Sequence, residues 1–99
     1  MNNLLLHSDP YLAQEKAQKY LGYDALLYIS DRKNKKYMIL NPHTHKWVHF
    51  GDLRYEDWTR SQNEQKRQHY LKRTAHIKGE WEKDKYSPNN LSRSILWNA

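Results

Sequence analysis

Between Lys36 and Tyr70 the chain passes without a break through two strand-length apolar runs, a turn crowded with aromatics and a strongly basic stretch. That order leaves few folds open. Tyr37-Met38-Ile39-Leu40 and Lys46-Trp47-Val48-His49-Phe50 read as strands, separated by Asn41-Pro42-His43-Thr44-His45, where Asn-Pro starts a turn. Upstream, Ala25 to Ile29 is a third apolar run, and the polar segment Asp31 to Lys35, with Asn34, makes the connecting turn. Two short connections imply an antiparallel meander of three strands, ended by Gly51. Along its third strand Trp47 and His49 face one way, Val48 and Phe50 the other. A sheet of this size needs helices on one face to be stable.

The flanks supply them. Ser8-Asp9-Pro10 is a helix start: Ser8 or Asp9 accepts from unpaired first-turn N–H groups, and Pro10 lacks only an N–H that has no helical partner there. Tyr11, Leu12, Ala17, Tyr20 and Leu21 form an apolar stripe, and Gly22 closes the helix. Leu4, Leu5 and Leu6 are expected to fold back over it. After the aromatic turn at Leu53 to Thr59, Thr59 or Ser61 caps a helix expected over 62–76 and ended by Gly79. On that helix Tyr70, Leu71, Thr74 and Ile77 share one face, while Gln65, His69, Lys72, Arg73 and His76 share the other, with Lys66 at its border. Arg67 falls among the apolar residues and needs an acid, for which Asp57 is the favoured partner over Asp52 or Glu56. Glu80 to Lys85 is a charged linker around Trp81. Tyr86 to Asn90 is a turn, and Leu91 to Trp97 a short helix docking Leu91, Ile95 and Leu96. The class is α+β in one small domain: an arm at 1–9, a helix at 10–22, the meander at 25–51 and a helical part at 52–97.

Only 37% of the 99 residues are hydrophobic and 28% are charged, which leaves the core to the rings: four Trp, eight Tyr and one Phe. Trp58, Trp81, Trp97 and Tyr70 are expected beneath the sheet. The net charge of +6 is uneven, about −1 over 1–30, +4 over 31–50, +3 over 51–78 and zero beyond, counting Lys, Arg, Asp and Glu. A positive middle between neutral ends favours a polyanion or an acidic protein surface as partner. No window is apolar enough to span a membrane. The start lacks a signal peptide's basic and apolar regions, and the absence of Cys rules out disulfides and thiolate metal sites. Both features favour a protein that is not secreted.

From Lys35 to Trp97 the chain resembles a family of small uncharacterised proteins encoded by large double-stranded DNA viruses of eukaryotes and some phages. The resemblance is carried by Lys36-Tyr37-Met38, Val48-His49-Phe50-Gly51, Tyr55-Glu56-Asp57-Trp58-Thr59, Lys66-Arg67, Tyr70-Leu71-Lys72-Arg73, Tyr86-Ser87-Pro88-Asn89-Asn90-Leu91-Ser92 and Leu96-Trp97. It departs at Ser61-Gln62-Asn63, where the family carries His-Lys-Asp. The resemblance implies a viral setting, in a virion or in the cytoplasm or nucleus of an infected cell, and no activity.

Two functional readings follow. In the first, Arg32, Lys33, Lys35 and Lys36 on the first sheet turn join Lys66, Lys72 and Arg73 on the long helix to bind DNA or RNA phosphates without sequence specificity, and exposed rings such as Trp47 and Tyr37 stack on bases. No zinc-finger, helix-turn-helix or single-strand RNA motif supports base readout. In the second, the protein is a structural or scaffold component of a virion, docking through Trp47, Trp81 and Trp97. His43, His45 and His49 lack an acidic companion and make a poor metal site. Glu56 and Asp57, the only carboxylates near His49 and His69 worth weighing, point apart as neighbours. No enzyme and no cofactor is expected.

Overall fold

The computed structural model describes residues 4–98; residues 1–3 of the expected arm lie outside them. A short helix α1 (Leu4–His7) leads into α2 (Pro10–Leu21), then strands β1 (Tyr28–Ile29), β2 (Lys35–Asn41) and β3 (Lys46–Asp52). Helices α3 (Trp58–Ser61) and α4 (Glu64–Ala75) follow. A 3-10 turn at Trp81–Lys83 then leads to α5 (Pro88–Leu91), which runs on into a π-helical turn at Ser92–Leu96.

The fold is α+β, with an antiparallel sheet in the meander order β1-β2-β3. Its register sets Tyr28 opposite Met38, Tyr37 opposite Phe50 and Leu40 opposite Trp47. Helix α2 has the expected ends: the Asp9 carboxylate accepts from the N–H groups of Tyr11 and Leu12, and the Gly22 N–H closes onto Gln18. The first strand is shorter than the apolar run, because Gln14 takes over the backbone before it. The Gln14 amide donates to the Ala25 carbonyl and accepts from the Leu27 N–H, both at 2.8 Å. The Ala25 carbonyl and the Leu27 N–H are therefore satisfied by a side chain instead of a neighbouring strand.

Gly51 does not end β3; it lies inside it with φ +84°. A Cβ there would stand 2.9 Å from Leu96 Cδ1 and 3.0 Å from Lys36 Cβ, so glycine lets the π turn close on the sheet. Helix α4 is capped by Asn63, which accepts from the Lys66 N–H, and not by Thr59 or Ser61. It ends at Ala75, short of Gly79. Gln62 and Asn63, where the chain departs from the resembled family, make the α3–α4 junction, Gln62 in the left-handed region at φ +52°.

The core is Leu4, Ala13, Ala17, Tyr37, Ile39, Phe50, Leu91, Ile95 and Leu96. The terminal helix thus docks the three residues its pattern singles out, but of the three leading leucines only Leu4 is buried. The expectation of a tryptophan core is corrected. The fully buried rings are Tyr37 and Phe50, cross-strand partners 6.0 Å apart, while Trp58, Trp81 and Trp97 are half-buried at the rim. At the rim the Trp81 indole N–H finds an acceptor, donating to the Ile77 carbonyl at 2.8 Å. The far side of the sheet leaves Tyr28, Leu40 and Trp47 exposed, with Tyr28 edge-on to Trp47 at 5.5 Å.

Candidate nucleic-acid interface

A buried polar node fixes the elements around the site. Lys36 Nζ lies 2.8 Å from Asp57 Oδ2, the two side chains 2% and 0% exposed, and also donates to the His7 carbonyl at 3.2 Å. The other Asp57 oxygen accepts from the Thr59 N–H and hydroxyl. The chain of contacts continues from Thr59 to the Ser8 hydroxyl at 3.1 Å and from Ser8 to the Tyr37 hydroxyl at 2.7 Å. One network thereby ties the α1–α2 junction, β2 and α3 together. Burial lowers the Lys36 pKa, opposed by Asp57, and burial holds the Tyr37 hydroxyl well above the ordinary tyrosine range.

Above the node runs a trough. A cleft of about 400 Å³ lies between the end of β3, the turn at Tyr55 and Glu56, α4 and the C-terminal turns, with Lys35 and Arg73 in its walls. A second hollow, of about 500 Å³, shares Tyr55, Glu56, Tyr70, Arg73 and Trp97 with it and adds Lys66 and His69. The two form one surface, with Lys35 at one end, Arg73 in the middle and Lys66 at the other. Its floor is aromatic. Tyr70 and Trp97 stack at 4.3 Å and 7°, the Arg73 guanidinium stands 5.5 Å from the Tyr70 ring, and Tyr55 is 64% exposed.

Two acids border the trough, and one of them pairs with a trough cation. Asp52 is held in a two-bond fork by Arg54, at 3.0 and 2.9 Å, which lowers its pKa, and Glu56 lies 3.8 Å from Lys66. Lys35 and Arg73 form no ion pair among the described residues. Lys35 and Arg73, with Lys66 shared by Glu56, stand beside an exposed ring that meets Arg54 at 5.7 Å, an arrangement that suits phosphates along a backbone and a base stacked on the free part of Tyr55.

Of the seven basic residues singled out from sequence, Lys35, Lys66 and Arg73 share the trough, and Lys36 lines it with its ammonium turned to Asp57. Arg32 and Lys33 are exposed on the β1–β2 turn, beside a separate hollow that Lys35 also borders. Lys72 is exposed on α4 but lines neither part of the trough. Lys36 is a correction: its ammonium is committed to Asp57 in the interior and cannot reach a phosphate. Arg67 accordingly finds another acid, bonding Glu64 at 2.8 Å and the Trp97 carbonyl at 2.8 Å. Tyr37 is likewise corrected as a stacking ring, being 1% exposed. Trp47 is open but sits on the outer sheet face, whereas Trp81 packs under Arg93 and Trp97 against Tyr70. Tyr55, exposed at the trough, is not among the rings expected from sequence to stack; the only mark it carries there is that of an aromatic beside Arg54 in the turn after Gly51.

The histidines go separate ways. His49 Nδ1 bonds the Ser30 hydroxyl at 2.7 Å, and His43 meets Tyr86 edge-on. Among the described residues no group of three His, Cys, Asp or Glu side chains could hold a metal ion, and no helix is long and apolar enough to cross a membrane.

Fold and site together define a small α+β protein with a cationic, ring-floored trough over a buried ion pair. Residues 25–74, spanning the sheet, α3 and most of α4, match a family of unknown function, DUF5754, and the chain belongs to that family. No curated protein and no solved structure matches it.

Proposed function

We propose that the chain is a non-enzymatic protein that binds single-stranded DNA or RNA without sequence specificity, in the viral setting that the resemblance implies: a virion or an infected cell. The observation that carries this reading is the convergence of Lys35, Lys66 and Arg73 on the trough that exposes Tyr55. Phosphates follow the cations, and a base lies on the Tyr55 ring.

The test is fluorescence anisotropy with an oligothymidylate and a random duplex, from about 50 to 300 mM salt. Three phosphate contacts predict a log–log slope of about −2 for the single strand. Arg73→Ala flattens the slope by about 0.7, whereas Tyr55→Ala weakens the single strand and leaves the slope alone. Absence of binding at the lowest salt overturns the reading.

A second reading rests on the exposed sheet face of Tyr28, Leu40 and Trp47: a structural component of a virion that works by protein–protein contacts through this apolar face. It predicts an assembled mass in light scattering that Trp47→Ala returns to monomer, together with no salt-dependent nucleic-acid binding.

A further inference from the structure

A different cleft, sharing no residue with the trough, lies between α2, α3 and the C-terminal π turn. It measures about 460 Å³ and is lined by Leu12, Lys16, Lys19, Tyr20, Trp58 and Ser94, among others. None of its lining residues is acidic. Two of them carry buried donors with no hydrogen-bond partner among the described residues: Lys16 Nζ and Trp58 Nε1. Lys16 is 8% exposed, and its ammonium stands 4.6 Å above the Trp58 ring. The closest opposing charge, Asp57, already gives one oxygen to Lys36 and the other to Thr59. Burial, reinforced by the positive charges of Arg67 and Lys19, lowers the Lys16 pKa. A fold that saturates Lys36 so fully has no structural need to leave a second ammonium and an indole N–H unpaired beside it.

We infer that this cleft is a binding site for a phosphate-class oxyanion, held by the Lys16 ammonium and the Trp58 indole N–H with Lys19 at its rim. The donors and their charge select the class. The ammonium approaches from above the ring face, whereas an indole N–H points outward in the ring plane. A phosphate group offers each donor a separate oxygen and carries more negative charge than a carboxylate, which favours it beside two cations. Both donors are buried, so the anion reaches them only as the flexible Lys16 side chain shifts to meet it. The apolar walls of Leu12, Tyr20 and Trp58 leave room for an organic group attached to the phosphate, so the source is either free phosphate or a phosphomonoester.

The test follows the Trp58 indole N–H resonance in ¹H–¹⁵N spectra, assigned by its loss in Trp58→Phe, while the full chain is titrated at fixed ionic strength with sodium phosphate, adenosine monophosphate or sodium acetate. Phosphate and the nucleotide shift that resonance saturably, leave those of Trp47 and Trp81 in place, and lose the effect in Lys16→Met. Tighter binding of the nucleotide than of phosphate identifies a phosphomonoester; equal binding identifies the free anion. The inference is overturned by no saturable shift, by a shift unchanged in Lys16→Met, by acetate matching phosphate, or by a Lys16→Met chain that fails to fold, which would make the lysine a packing residue. Oligonucleotide binding by the trough is read separately and is unaffected by Lys16→Met.

Discussion

Two lysines are buried in this small chain, and their surroundings treat them in opposite ways. Lys36 meets a carboxylate, a carbonyl and, through them, a run of hydroxyls that ends at Tyr37. Lys16 meets the face of an indole and no acceptor. Burial is the largest influence on both ammoniums and lowers both pKa values, yet only Lys36 has an anion to oppose it directly. A buried charge that joins segments distant in sequence is fully satisfied, because an unpaired one costs several kcal/mol. A buried charge left without an acceptor contributes nothing to the fold that an apolar side chain would not supply better.

The contrast can be broken most sharply at Asp57. Asp57→Ala strands Lys36 inside the protein and is expected to cost about 3–5 kcal/mol in urea denaturation; a loss near zero would mean that the two lysines are equivalent. Gly51→Ala comes next. It forces an L side chain into the left-handed region and presses a methyl on Leu96 and on Lys36 itself, for an expected loss of about 2 kcal/mol. Lys16→Met should act in the opposite direction and gain on the order of 1 kcal/mol in phosphate-free buffer. A loss instead would show that the Lys16 contact with Trp58 is structural.

Alkaline pH sets the buried lysines against Tyr37: Lys16 and Lys36 share one sign and the tyrosine has the other. Folded Lys16 gives up its proton below the ordinary value of 10.5, so the unfolded chain binds more protons there and stability rises with pH in that window. Folded Tyr37 keeps its proton above the ordinary value of 10.0, so the unfolded chain binds fewer and stability falls as pH climbs past it. Denaturation series in this range should show a smaller rise in Lys16→Met, with Lys36 supplying the remainder, and a shallower fall in Tyr37→Phe.

Much of the architecture is local and was legible in the sequence. Asp9, Pro10 and Gly22 bound α2 because capping is decided within a few residues, and the meander follows from two short polar turns between apolar runs. Leu91, Ile95 and Leu96 dock as their spacing predicts. The site was legible in outline only: the sequence placed positive charge on the first sheet turn and α4, and three of those side chains meet in the trough. It mistook Lys36 for one of them, since a lysine beside three other basic residues carries no local mark of burial. It also gave Asp57 to Arg67, where proximity in sequence competed with a closer approach in space.

What the chain's order of residues determined, then, is which segments become helices and strands and which half of the molecule is basic, because these depend on neighbours along the backbone. Which acid neutralises which base, which rings enter the core and which donors are left without acceptors were decided only by tertiary packing. Lys36 and Asp57 are 21 positions apart and Lys16 and Trp58 still further, so their pairing exists only once β2, α2 and α3 have been brought together.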